Sequence, residues 1–271
     1  MTELRGATVL ITGGGSGIGR LVAAECARRG SRLVLWDLSD DRMAESLDEI
    51  RRLGAEAHGY ACDVSDRDQV AATAARVLDE VGPVDVLVNN AGIVSGRPLL
   101  ELTDEQIERT FAINVLALYW VTRPFLAAMV ERDRGHVVTV ASAAGLVGVA
   151  RQTDYSASKH AARGFDESLR VELAQLAPGV RTTAVCPYYI DTGMFDGVRT
   201  RVPLLLPILK ADRVALKMVD AIEADKPLLA MPPIVRMLPA LRVLPTRAFD
   251  KVMDLFGVNN TMDHFKGRST R

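Results

Sequence analysis

The chain has 271 residues and a mass of 29.4 kDa, enough for one large core and short for two full domains. It is 48% hydrophobic and 25% charged with a formal net charge of −1, the make-up of an ordinary globular protein, and nothing in the total argues for nucleic acid. The charge is uneven: residues 1–198 carry 20 Lys+Arg against 27 Asp+Glu, whereas residues 199–271 carry 13 against 7. Cys26, Cys62 and Cys186 are an odd number without metal-ligand spacing, so the expectation is a reduced, intracellular chain with no metal. The first residues, MTELRGATVLIT, contain no apolar signal region, and no run is read as reaching the ~20 apolar residues of a membrane span. A cytoplasmic protein is expected.

In chain order, Ala7–Thr12 reads as a short β-branched strand running into a glycine cluster, Gly13-Gly14-Gly15-Ser16-Gly17-Ile18-Gly19, and then a helix closing at Gly30. Strand Arg32–Asp37 and helix Asp40–Leu53 follow, then strand Glu56–Cys62. A helix capped by Ser65 or Asp66 extends to Glu80, and Val84–Asn89 is a fourth, wholly apolar strand. Thr103–Val130 is a long helical stretch whose middle, Ile113–Val121, is apolar nearly all round and therefore expected to be buried. Strand His136–Ala141, helix Thr153–Leu176, strand Val180–Cys186, an apolar loop to Leu209, helix Ala211–Ala224 and a strand near Pro227–Met231 complete the alternation. Short, continuously apolar strands alternating with helices mean a parallel sheet covered on both faces. Residues 1–231 are assigned to this α/β domain and 232–271 to a C-terminal extension.

The turn Gly13-x-x-x-Gly17-x-Gly19, with Ser16 and Ile18 inside it, lies between a strand and a helix. Its glycines let the backbone approach a pyrophosphate, and the helix N-terminus offers free N–H groups and a partial positive charge. Asp37 ends the second strand, where a carboxylate accepts from adenine-ribose hydroxyls and repels a 2′-phosphate. Asp40 and Asp41 deepen the negative field, and Arg42 is the one nearby basic candidate. The reading favours NAD and keeps NADP as the alternative.

Tyr155 and Lys159, four residues apart, share one helix face. A phenol titrates near ~10, and a neighbouring ammonium is expected to lower that value toward the range useful for proton transfer. Ser142 offers a hydroxyl to the same substrate oxygen. Alone, the pair is also what a solvated helix face would carry.

Taken together and in order, Thr12-Gly13-x-x-x-Gly17-Ile18-Gly19, Asp63-Val64, Asn89-Asn90-Ala91-Gly92, Asn114, Ser142 and Tyr155-x-x-x-Lys159 resemble the short-chain dehydrogenase/reductase family over residues 7–231. The resemblance implies a doubly wound Rossmann fold, with a mostly parallel seven-stranded sheet, and hydride transfer between a nicotinamide and an alcohol or carbonyl. It assigns the adenine to Asp63 and Val64, the cofactor wall to Asn90, Ala91 and Gly92, and a water-linked proton relay to Asn114 and Lys159. Tyr155 becomes the acid/base, Ser142 positions the substrate oxygen, and Lys159 holds the nicotinamide ribose. Pro187, Ile190 and Thr192 fall beside the nicotinamide, with Tyr188 where the family has glycine. A homodimer or homotetramer built from the helices of 103–130 and 153–176 is also implied.

A closer likeness, carried by Cys186–Phe195 and Leu204-Leu205-Leu206-Pro207, is to the lipid-metabolising branch with retinol and 17β-hydroxysteroid dehydrogenases. It implies a small apolar alcohol or carbonyl substrate: a retinoid, a steroid or a long-chain alcohol. Met194 and Phe195, with Val198, Val202 and Leu204–Leu206, form either an apolar lid in the 188–209 substrate loop or a packed connection. In the tail, Thr246 is read as capping an amphipathic helix with Phe249, Val252, Met253 and Phe256 on one face and Gly257 as its stop. That basic, amphipathic piece suits peripheral contact with a membrane surface, a partner subunit, or a cover over its own active site. Two other functions stay open: an NAD(P)H-dependent reductase of smaller or xenobiotic ketones, and a non-catalytic, nucleotide-sensing regulator.

Overall fold

The computed structural model describes residues 1–267. Seven strands, β1 (Thr8–Thr12), β2 (Arg32–Asp37), β3 (Ala57–Ala61), β4 (Val86–Asn89), β5 (Gly135–Val140), β6 (Val180–Pro187) and β7 (Leu228–Met231), form one sheet. Their order is β3-β2-β1-β4-β5-β6-β7, and every pairing is parallel. Strand alternation sends side chains to two cores. Val9, Ile11, Leu33, Leu35, Val86 and Val88 meet α1 (Gly17–Arg28), α2 (Asp40–Arg52) and α7 (Ala211–Glu223) on one face. Leu10, Val34, Trp36, Leu87 and Val137 meet α3 (Arg67–Glu80), α5 (Ala117–Glu131) and α6 (Thr153–Leu176) on the other. Burial on both faces is why the strands read as continuous apolar runs rather than alternating ones. Strand order reverses between β1 and β4, which opens a crevice at the carboxyl ends of the strands.

The long helix of 103–130 is interrupted. Thr103 forms a capping box over α4 (Asp104–Phe111), a π-helical turn covers Ala112–Leu116, and α5 continues through Pro124. Its middle is buried on one face only: Ile113, Ala117 and Val121 meet the core, while Leu116 and Tyr119 are 45% and 46% exposed. The run Asp104–Glu131 is long and apolar enough to cross a membrane by length and composition, which corrects the expectation that no run approaches a span. The unbroken-run criterion missed it because its few charges sit within an otherwise apolar stretch. Only 44% of its most apolar window is buried.

Beyond β7 the tail forms a 3-10 turn (Pro233–Met237), α8 (Leu238–Leu241), α9 (Thr246–Leu255) and a last 3-10 turn (Val258–Asn260). Thr246 does not cap α9; Pro245 holds the capping position, and no side chain there bonds the helix N-terminus. Gly257, at φ +69°, ends the element as expected. The apolar face of α9 turns inward: Phe249 and Met253 are buried with Val147, Leu206 and Val258, and Val252 and Phe256 pack against them. A membrane or partner surface is therefore not what this face meets. Of the tail's basic residues, Arg268 and Arg271 lie outside the described residues.

Candidate active site

The glycine turn closes through backbone contacts that leave no room for side chains. Gly19, in the first turn of α1, is so close to the turn before it that a Cβ would overlap the Gly13 carbonyl and lie 2.6 Å from Asn90 Nδ2. Asn90 secures the same turn by donating Nδ2 to the carbonyls of Thr12 (2.9 Å) and Gly13 (3.2 Å). Thr12 Oγ1 in turn accepts from the backbone N–H groups of Asn90 and Ala91, both at 3.0 Å. Thr12 is thus a site residue that the motif contains but the sequence reading leaves without a role; a hydroxyl ending a buried strand is the signal that marks it. Asn89 faces away, donating to Thr122 Oγ1 at 3.0 Å within the core.

Asp37 is 7% exposed and already engaged: one oxygen accepts from Gly15 N at 2.9 Å and the other from Ser39 N at 3.0 Å. Arg42, on α2, reaches within 3.6 Å of the same carboxylate and lines the crevice beside it. Asp63 makes an Asx-type turn, accepting from Ser65 N at 2.9 Å and from its hydroxyl, while Asp66 caps α3. Asp63 and Val64 nonetheless line the crevice as well.

One crevice of about 270 Å³ gathers almost the whole candidate set. Gly13, Ser16, Gly17, Ile18, Asp37, Asp63, Val64, Asn90, Ala91 and Gly92 line one part of it, and Ser142, Tyr155, Lys159, Pro187, Ile190, Thr192, Met194 and Phe195 the rest. Gly19 and Asn114 stand behind the wall. Arg42, Ile93, Arg109 and Tyr188 also line it; Ile93 and Arg109 gave no sequence signal, having neither motif nor periodicity to mark them. A second cavity, about 360 Å³, lies at the opposite end of the sheet among Thr2, Asp85, Arg181 and Asp225 and shares none of these residues.

Asn114 sits in the π-helical turn, 1% exposed, with its amide held by three protein hydrogen bonds. Its Oδ1 accepts from Ile93 N (2.9 Å), and its Nδ2 donates to Ile93 O (3.0 Å) and Ser158 Oγ (2.9 Å). It therefore ties the loop after β4 to α6, the helix carrying Tyr155 and Lys159. A Cβ at Gly92 would stand 3.2 Å from Asn114 Oδ1 and 3.3 Å from Lys159 Nζ, so glycine keeps this corner open.

Tyr155 is 5% exposed and Lys159 4%. Lys159 Nζ donates to the Val140 carbonyl at 2.9 Å and lies 5.7 Å from the Tyr155 ring centroid. Burial lowers the lysine to about 8. The phenol goes the other way from the sequence expectation: burial raises it well above its ordinary value, and the Ser142 side chain pulls it down only in part. At this separation the ammonium does not offset desolvation. Ser142 Oγ accepts from Ala144 N at 3.1 Å and reaches the Pro187 carbonyl at 3.5 Å, which holds the hydroxyl beside the end of β6. Tyr188, in the family's glycine position, needs no positive φ; directly after the end of β6 its N–H donates to Met231 O at 2.7 Å.

The 188–209 loop divides its apolar residues. Met194 and Phe195 line the crevice, and Val198 and Leu206 are buried against the tail. Leu204 is 91% exposed and Leu205 41%, so neither serves as a lid.

A buried turn with no room for Cβ atoms, opening a helix beside an acidic strand end, fits a dinucleotide, and the Tyr-Lys-Ser corner fits an oxygen-bearing substrate at its far end. Known proteins point the same way. The short chain dehydrogenase family model matches residues 7–202. The chain is 43% identical over 272 residues to epidermal retinol dehydrogenase 2 of Mus musculus, covering 99% of this chain and 88% of that protein. Among solved structures, a short chain dehydrogenase/reductase from Burkholderia phymatum in complex with NAD superposes with a TM-score of 0.81 at 29% identity, over 96% of this chain and 98% of that one. A metagenomic short-chain oxidoreductase in complex with NADP gives 0.70 at 31% identity, over 84% and 96%.

Proposed function

The chain belongs to the short-chain dehydrogenase/reductase family, in its retinol dehydrogenase-like branch, and we propose that it interconverts an apolar alcohol and its aldehyde or ketone with NAD(H). The observation that carries this reading is the meeting of Ser142, Tyr155 and Lys159 at one end of the crevice whose other end is the glycine turn and Asp37. When bound, the nicotinamide supplies or accepts the hydride.

The remaining work falls to the chain's own side chains. In reduction, Tyr155 Oη gives its proton to the carbonyl oxygen as that oxygen gains negative charge; in oxidation it takes the hydroxyl proton. Burial keeps the phenol protonated, the form reduction requires. Ser142 Oγ donates to the same oxygen and fixes its distance from Tyr155. Lys159 holds ribose hydroxyls and supplies positive charge beneath the phenol, with Asn114 fixing the loop and helix that frame it. Asp37 selects the unphosphorylated ribose, while Asp63 and Val64 border the adenine. Met194 and Phe195 present an apolar wall to the substrate. The retinoid, steroid or long-chain class is supported by that wall and by the mouse relative, whose name is that of a retinol dehydrogenase.

Acid–base assistance of this kind is worth about 10²–10⁴-fold. Tyr155→Phe is expected to lose at least about a hundredfold in turnover while binding NADH as the parent does, measured by NADH fluorescence titration alongside absorbance assays with retinol, a 17β-hydroxysteroid and a long-chain alcohol. Near-normal turnover would sink the mechanism. A second reading, NADPH-dependent reduction of smaller ketones, is favoured by Arg42 standing 3.6 Å from Asp37, where it tempers the carboxylate's repulsion of a 2′-phosphate. NADH binding without turnover of any alcohol or ketone would favour the regulator instead. Assembly into a dimer or tetramer is supported by exposed apolar side chains on the two helices named for it, Leu116 and Tyr119 on one and Val171 and Leu176 on the other. Peripheral membrane contact is supported by exposed Met237, Val243 and Leu255 among the tail's arginines.

A further inference from the structure

Phe195 lines the crevice with its ring edge-on to Tyr155, centroids 5.8 Å apart, and braced by Tyr189 at 5.0 Å. Further support comes from the end of the described chain: the Phe265 ring lies 6.4 Å from it, in a cluster that also holds Val198 and Met262. The Phe265 ring also rests on Gly96, so closely that a Cβ there would overlap ring carbons. Gly96 adopts φ +67°, and its neighbour Ser95 is fixed by a 2.9 Å hydrogen bond to Asp154, the residue before Tyr155. The ring is thus wedged between the loop after β4 and the loop after β6, the two loops that flank the catalytic tyrosine.

The segment carrying Phe265 is fastened on both sides of it. Lys266 N donates to Asp196 O at 2.8 Å, Thr261 Oγ1 pairs with Tyr189 Oη at 2.8 Å, and Met262 is buried with Tyr189 and Val198. None of these contacts involves the glycine turn.

We propose that Phe265 is a specificity-determining positioning residue: wedged against Gly96, it holds Phe195 against Tyr155 and limits the width of the apolar group that can lie beside the reacting carbon. This rests on the oxidoreductase reading above. The acceptable substrate is a slim, flat or extended apolar alcohol, and one with a bulky ring directly beside the hydroxyl-bearing carbon is rejected. Tyr155, Tyr189 and Phe265 stand around the half-buried Phe195 ring, so removing Phe265 frees space into which that ring can turn.

The test uses the full chain and two secondary alcohols of similar hydrophobicity, one straight-chained and one bearing a cyclohexyl group next to the hydroxyl carbon. One methylene in an apolar pocket changes discrimination by about 10–200-fold. Phe265→Ala is expected to raise the cyclohexyl-to-straight ratio of kcat/KM by about tenfold or more, mainly through KM, with NADH affinity unchanged. Phe265→Leu should recover part of the parent's preference. Thr261→Val, which removes the latch to Tyr189 together with the Thr261 Oγ1 hydrogen bond to the Val258 carbonyl, should move the ratio in the same direction by less and speed amide exchange at 261–267; it also covers the case in which Phe265→Ala does not fold. An unchanged ratio in Thr261→Val despite faster exchange, or in folded Phe265→Ala, overturns the proposal. If the parent protein binds NADH and turns over neither these alcohols nor the corresponding ketones, the oxidoreductase reading fails first and the inference falls with it.

Discussion

Asp37 carries two duties that pull on each other. Its oxygens hold the glycine turn through Gly15 N and the start of α2 through Ser39 N, yet the same carboxylate faces the place where an adenine ribose would lie. A carboxylate there accepts from ribose hydroxyls and repels a phosphate, so the parent protein is expected to bind NADH at least about tenfold more tightly than NADPH. Asp37→Ser removes the repulsion and leaves Arg42 unpaired; the preference should fall by about tenfold or invert in paired fluorescence titrations. Equal affinity for the two cofactors in the parent, or an unmoved ratio in the variant, would count against NAD. The position of Asp37 in the crevice was legible from an acid ending the second strand of a glycine-turn unit. The engagement of both its oxygens was not, since Gly15 and Ser39 are brought to it by backbone geometry. Tyr155 gives the sharper lesson: spacing put Lys159 on the same face, but the sign of the phenol's shift depends on burial, which one helix cannot reveal.

At the scale of elements, α9 shows where the tail's apolar face goes. A membrane-facing helix would keep its apolar side chains at the surface, whereas Phe249 is 8% and Met253 4% exposed, packed on Leu206 of the 188–209 loop and Val147. The Arg242 guanidinium, 5.3 Å above the Phe249 ring, covers it from outside. Phe→Ala in such a cluster costs about 3–5 kcal/mol, so Phe249→Ala should lower thermal stability clearly and loosen the 188–209 loop. A melting temperature within a degree of the parent's would show that this face carries no load. Periodicity revealed the helix and its apolar face, as it revealed α6, whose limits match the sequence reading residue for residue. It did not reveal what the face meets, because Val147 and Leu206 come from distant parts of the chain. The π-helical turn around Asn114 was likewise hidden within what reads as one continuous helix.

For the whole molecule, two buried titratable groups outside the crevice set opposing pH dependences. His136, fully buried between Thr2 and Thr183, is lowered by desolvation from 6.5 to about 4. The unfolded chain therefore takes up its proton first, and stability is lost as pH falls from 6.5 toward 4. Asp166, 0% exposed on α6, is raised by burial from 3.8 to about 7, with Arg163 at 3.9 Å offsetting that only in part. Here the folded state holds the proton more tightly, so stability declines as pH rises from 3.8 to about 7 and stays at the lower level above it. Between these limits the two slopes partly cancel; above pH 7 only the Asp166 penalty remains. Asp166→Asn keeps the shape of the protonated side chain and cannot ionise. It is expected to melt higher than the parent at pH 8 and to lose most of that advantage at pH 5, in thermal scans at fixed ionic strength. An offset of the same size at both pH values would mean that the carboxyl group does not titrate in this window and that the buried pair with Arg163 stays charged throughout.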